Sequence, residues 1–208
     1  MNNGKFKSNK SVTRKEVKKI VEQTLHNEIR YVDFTGNVSG TVGGIQAFTL
    51  PAVGTAVDER VGDAIKLDHI DMRIAYDQTE TTAFSAVTAS ATYIRLSVVQ
   101  IIGEEVPTLD DVYDNSATVA GVMVSPFSYS NEGKLFHVLF DEVFLLDTFN
   151  RNVFKEKRIL PRIKKLRYDS NNNQWSTGQP YIVTTYYSDG AAPNIRQISQ
   201  FRTFYYTM

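Results

Sequence analysis

The stretch from Leu135 to Asp147, LFHVLFDEVFLLD, is the densest apolar run of the chain and limits the possible folds most. Read with period two, Phe136, Val138, Phe140, Phe144 and Leu146 share one face. Leu135, Leu139, Val143 and Leu145 share the other, with His137 and Asp141 among them. A strand apolar on both faces is either central in a sheet or covered on its second face by a neighbouring subunit. A buried helix fits the same letters, because a short apolar run is not typed by periodicity alone. Strand is favoured because nearly everything after residue 60 reads as strand. The pair Asp141-Glu142 interrupts the run and predicts a bulge or bend there.

The chain of 208 residues is long enough for one sizeable core and contains no cysteine, which excludes a disulfide framework and thiolate metal centres. Residues 1–30 are polar and basic, without the apolar core of a signal peptide. The net charge of zero hides an asymmetry. Residues 1–19 carry Lys5, Lys7, Lys10, Arg14, Lys15, Lys18 and Lys19 against Glu16 alone, a net of +6; the other 16 basic and 22 acidic residues give −6. A basic arm on an acidic body points to a polyanion at one end.

Thr13 and Glu16 have the spacing of a capping box. Val17, Ile20, Val21, Leu25 and Ile29 then form one apolar stripe at helical spacing, predicting an amphipathic helix. An isolated stripe of this width does not hold a helix in water, so it needs a partner surface. It has no Trp or Phe anchor, which weighs against a membrane. Residues 31–59 read as a connector with short strands at Tyr31–Phe34 and near Ile45–Leu50. The body is expected over 60–208, opened by a turn at Gly62.

Strands are predicted at Ile65–Tyr76, with a phase change near His69 that implies a bulge, and at Tyr93–Ile102, with Ile94, Leu96, Val98 and Gln100 on one face. His69, between Asp68 and Asp71, reads as a surface histidine at that bulge. Pro107-Thr108 opens a short helix, and Gly121–Tyr129 reads as a short strand. Val153–Tyr168 is strand-like and strongly basic, with Lys155, Lys157, Arg158, Arg162, Lys164, Lys165 and Arg167 opposing only Glu156, and with a break at Pro161. Further strands are expected at Pro180–Tyr187 and Arg196–Thr207. Seven or eight strands from residue 64 with long connections suit a two-sheet sandwich.

The chemistry of catalysis is missing from these patterns. No phosphate-binding glycine loop or nucleophile elbow is present, and His26, His69 and His137 are scattered. The expectation is a protein that is not an enzyme. Glu104, Glu105, Asp110, Asp111 and Asp114 form an acidic cluster of the composition calcium prefers, without the spacing of an EF-hand loop; a solvated acidic loop is the plainer reading.

The order of these parts carries a resemblance. A basic arm, an amphipathic helix and a Gly/Thr-rich connector lead to Arg60-Val61-Gly62-Asp63-Ala64-Ile65-Lys66-Leu67. Pro107-Thr108 precedes Asp111-Val112, and Phe136-His137-Val138-Leu139-Phe140-Asp141 follows. In this order the chain resembles the small single-jelly-roll capsid proteins of satellite tobacco necrosis virus and of many small circular single-stranded DNA viruses. Its short, Lys-rich arm departs from the longer, Arg-dense arms of the DNA-virus members and is closer to the satellite virus, leaving DNA or RNA open as the genome.

The resemblance implies an all-β fold, a single eight-stranded jelly-roll sandwich behind the arm and helix. It implies sixty copies in a T=1 virion shell, assembled in a host cell. Residues 1–30 would be interior, with the arm cations on single-stranded nucleic acid, joined by Lys164, Lys165 and Arg167. Val17, Ile20, Val21, Leu25 and Ile29 would pack against the same helix of neighbouring subunits. Family members often bind calcium between subunits, which makes the acidic cluster a calcium candidate, although none of its residues maps onto a ligand of the family. The competing expectation is a lectin-like jelly-roll module oligomerised by its helix, with Trp175, Tyr181, Tyr186 and Tyr187 as a sugar platform.

Overall fold

A computed structural model of the chain describes residues 13–17, 29–36, 44–54, 58–60, 62–78, 91–103, 105–114, 118–128, 131–147, 150, 152–169, 174–188 and 195–208. The described strands are β1 (Ile29–Gly36), β2 (Gly44–Ala47), β3 (Ala64–Gln78), β4 (Thr92–Ile101), β5 (Phe136–Leu146), β6 (Asn152–Ile159), β7 (Lys165–Asp169), β8 (Gln174–Thr177), β9 (Pro180–Ser188) and β10 (Ile195–Thr207). Two short helices, α1 (Leu109–Val112) and α2 (Val119–Val124), lie between β4 and β5.

The strands form two antiparallel sheets. One is six-stranded in the order β1-β10-β3-β7-β8, with β6 also paired to β3; the other is four-stranded in the order β2-β9-β4-β5. The apolar inner faces meet in a core of Ile70, Met72, Ile74, Ile94, Leu96, Val98, Phe144, Ile182 and Phe201, which makes the molecule an all-β sandwich. A second core lies on the outer face of the four-stranded sheet, where α1 and α2 bring Val112, Tyr113 and Val122 against Val99, Ile101, Phe136 and Val183.

Among the described residues eight strands follow residue 60, and the stretch read as a connector adds one more to each sheet. β1 pairs with β10 along its whole length, from Ile29 opposite Tyr206 to Gly36 opposite Ser199. Arg30 and Val32 turn inward while Ile29, Tyr31 and Asp33 turn outward, so a period of two governs from Ile29 onward. Ile29 therefore opens a strand and does not belong to the helix stripe. Of the expected helix, residues 14–17 are described and helical; Ile20, Val21 and Leu25 lie outside the described residues.

The apolar run is β5, but it is an edge strand and not a central one. Its bulge is two residues earlier than Asp141: Val98 faces Phe140 and Val99 faces Val138, so Leu139 is the extra residue. That single residue divides the predicted face. Phe144 and Leu146 join the core between the sheets with Phe140, while Phe136 and Val138 join the outer core. The β3 bulge falls at Asp68, where Phe204 faces His69 and Tyr205 faces Leu67, next to the predicted phase change.

Of the expected strand Gly121–Tyr129, residues 121–124 are helical instead, and Tyr129 lies outside the described residues. Thr118 Oγ1 accepts a hydrogen bond from the Gly121 N–H at 2.9 Å and starts α2, whose Val122 and Met123 are buried on the sheet. The basic stretch breaks at Pro161 as its sequence predicts, giving β6 before it and β7 after. Gly62 has φ +93 at the turn into β3, a conformation that favours glycine.

Candidate nucleic-acid interface

The pairing registers place the predicted cations. Lys165 of β7 stands opposite Lys66 of β3, and Arg167 stands opposite Ala64. Lys66, Lys164, Lys165 and Arg167 are all exposed. Tyr206 of β10 also faces Lys66, and Ile29 faces Tyr206, so one row across the outer face of the six-stranded sheet reads Ile29, Tyr206, Lys66, Lys165. The ammonium of Lys66 lies 5.8 Å from the centre of the Tyr206 ring.

The next row reads Tyr31, Phe204, His69. The Tyr31 and Phe204 rings are 6.2 Å apart, and His69 stacks on Phe204 at 4.3 Å. His69 sits at the bulge but is buried, not on the surface, with Nδ1 2.7 Å from Asp68 Oδ2.

The third row alternates charge: Asp33, Arg202, Asp71, Arg158. Arg202 donates two hydrogen bonds to Asp33 at 2.7 and 2.8 Å, and Arg158 donates two to Asp71 at 2.8 and 3.0 Å. The hydrogen bonds from Arg202 hold the Asp33 carboxyl below its ordinary value, and those from Arg158 do the same for Asp71, in each case against a smaller opposing effect of desolvation. Arg202 also lies 4.3 Å over the Tyr31 ring. A polar hollow of about 150 Å³ opens here, lined by Asp33, Asp71, Arg73, Gln200, Arg202 and Phe204.

Of the second basic stretch, Arg158 is thus tied to Asp71, and Lys155 pairs with Glu142 at 2.5 Å. Of the arm cations, Arg14 and Lys15 are exposed on the described turn, which opens with the predicted capping box: Glu16 Oε2 accepts from the Thr13 N–H at 2.8 Å. Lys5, Lys7, Lys10, Lys18 and Lys19 lie outside the described residues. Val17 is exposed.

Among the described residues no three His, Cys, Asp or Glu side chains stand together as metal ligands. Asp111 caps α1, accepting from the Thr108 N–H at 2.8 Å and its hydroxyl at 2.7 Å; Glu105, Asp110 and Asp114 are exposed; Glu104 lies outside the described residues. Of the residues expected as a sugar platform, Trp175, Tyr181 and Tyr186 are buried and Tyr187 is half-buried.

The outer face of β5 is different in kind. Leu145 is opposite Tyr93, and Val143 is opposite Arg95; Leu145 is 40% exposed, Val143 47% and Tyr93 38%. Apolar side chains therefore point to solvent along an edge strand of the sheet. Next along it, Asp141 receives two hydrogen bonds from buried Arg95, at 3.0 and 2.9 Å, and one from Ser97 at 2.5 Å. Arg95 also donates to the carbonyls of Val122 and Ser125, both at 2.6 Å, and so fastens the end of α2 to the sheet. Burial against this network pushes the Tyr113 hydroxyl up to about 12.

The cations of β7 were visible in the sequence as a charge run. Lys66, Tyr31, Phe204 and Tyr206 were missed as partners of that run. Period-two parity in the last strand, which puts Arg202, Phe204 and Tyr206 on one face, is the signal that finds the β10 members. No protein-family model matches the sequence, and no curated protein matches it significantly.

Proposed function

We propose that this chain is a capsid subunit, a jelly-roll shell protein that self-assembles into a small icosahedral T=1 shell and packages single-stranded nucleic acid through its basic N-terminal arm. The observation that carries the reading is strand order. With the β7–β8 hairpin set aside, the sheets run β1-β10-β3-β6 and β2-β9-β4-β5. Successive strands then alternate between the sheets except at β4–β5, an order that supports the nested Greek-key winding of a jelly roll. The hairpin is an insertion between the sixth and seventh strands of that winding.

Two other observations support the reading. β5 exposes Val143 and Leu145 along a sheet edge, a surface that a neighbouring subunit would cover. The charge is segregated, +6 on residues 1–19 and −6 on the rest. In this account the protein performs no chemical step. It contributes apolar burial between subunits and counterion release on the genome, and sixty arms supply several hundred positive charges that neutralise phosphates without reading sequence.

The test is deletion of residues 1–19, with the 260/280 nm absorbance ratio of the assembled peak recorded for both proteins. The full chain should carry nucleic acid and the deletion variant should assemble without it. A full chain that purifies free of nucleic acid at low salt contradicts the packaging role.

A further inference from the structure

The outer face of the six-stranded sheet combines two features that a merely solvated surface does not need. The first is a like-charge pair. Lys66 and Lys165 lie directly opposite one another on β3 and β7, and neither forms an ion pair with a carboxylate among the described residues. Like charges in directly opposed positions destabilise an antiparallel pair unless an anion lies between them. The second is an aromatic surface beside that pair. Tyr206, Phe204 and Tyr31 belong to the outward-facing rows of adjacent strands, each at least partly exposed, with Tyr206 next to Lys66 and Arg202 over Tyr31. Rings on a sheet face beside cations are the arrangement by which sheet proteins hold unpaired bases, since every base has a face to stack and every linkage a phosphate to pair. The nearby carboxylates are engaged by their neighbours: Asp33 by Arg202, Asp71 by Arg158 and Asp68 by His69.

We propose that this face binds single-stranded nucleic acid by stacking unpaired bases on Tyr31, Phe204 and Tyr206, with Lys66 and Lys165 sharing a phosphate between them. The inference rests on the reading that this chain binds a single-stranded genome. It adds a second contact, distinct from the arm, that selects unpaired over paired strands. The arm pairs with any phosphate backbone, whereas stacking needs bases that are not already stacked on one another.

The test uses the full chain and a bromodeoxyuridine-substituted oligothymidine, cross-linked by ultraviolet light and mapped by mass spectrometry. Cross-links are expected on the peptides of Tyr31 and Tyr206 as well as on the arm. By fluorescence anisotropy at raised salt, where the arm contributes less, Tyr206→Ala should weaken binding of the oligothymidine about ten-fold, while Tyr206→Phe keeps it. Lys66→Gln should lower the slope of affinity against salt by about one. Cross-links confined to residues 1–19 would overturn this proposal and leave packaging by the arm intact. No binding of the oligonucleotide would overturn both. At the same raised salt, binding of oligoglutamate or of a blunt duplex of equal charge that matches the oligothymidine and is weakened as much by Tyr206→Ala would show a surface for acidic partners or paired strands and overturn the stacking.

Discussion

Gln100 and Ile163 exchange two hydrogen bonds: the Gln100 amide donates to the Ile163 carbonyl at 2.7 Å and its oxygen accepts from the Ile163 N–H at 2.9 Å. The same side chain donates to the Gly178 carbonyl at 2.7 Å and accepts from the Arg162 N–H at 3.0 Å. Gln100 belongs to the four-stranded sheet and Ile163 to the β6–β7 link of the other, so one fully buried amide joins the two layers. Gln100→Leu leaves four backbone groups without this partner and should cost about 2–4 kcal/mol in denaturant unfolding. Gln100→Glu should not rescue it, because a carboxylate cannot donate to two carbonyls. Rescue by Glu would contradict this assignment.

The edge position of β5 makes a different prediction, one of assembly and not of stability. Leu145→Lys places a charge on a side chain that is 40% exposed in the subunit, so folding should change by less than about 0.5 kcal/mol. If a neighbouring subunit covers this face, the same variant should remain small by sedimentation. A variant that assembles like the wild type removes β5 from the interface.

The charge ladder titrates at the acid end. Asp33 and Asp71 have folded-state pKa values below their ordinary ones. Their contribution to stability is therefore fully present above the unfolded carboxylate value of about 3.9 and is lost as pH falls through the lower folded values. Asp33→Asn with Asp71→Asn should flatten the stability profile below about pH 4. Both groups are partly exposed, so the effect is small and should shrink in salt. Parallel wild-type and variant profiles would contradict it.

Arg60 is a fourth test. Its guanidinium is buried, lies 4.1 Å from the Tyr168 ring and 5.4 Å from Trp175, and bonds the Gly62 carbonyl. Arg60→Lys keeps the charge but loses the planar stacking and the fork, and should cost about 1–3 kcal/mol. Hydrogen exchange should quicken at the Arg60 N–H, which is bonded to the Ala52 carbonyl at 2.7 Å. A variant as stable as the parent would show the rings to be mere neighbours.

Much of the sandwich was legible because alternation is a local property. Ile70, Met72 and Ile74 alternate with Asp71 and Arg73, and the sheet they build follows that pattern. Register and sheet order are not local. One inserted residue at Leu139 moves Phe136 and Val138 to the opposite side from Phe144, and no periodicity count fixes where the insertion falls. The edge position of β5 depends on pairing partners more than forty residues away, such as Leu145 with Tyr93. The short α2 reads as strand by its valines until Thr118 is seen to cap it. The candidate interface was half legible. The run Lys164, Lys165, Arg167 is visible as charge, but only pairing brings Lys66 and Tyr206 beside it.

The most direct measurement is the mass of the purified full chain in solution, by sedimentation or mass photometry with electron microscopy of the same sample. Closed, uniform shells are expected, with about 1.4 MDa of protein, sixty times the chain mass of 23.5 kDa, plus the mass of the nucleic acid they carry. Oligomers of a few subunits that persist at low and high salt, with and without calcium, would contradict it.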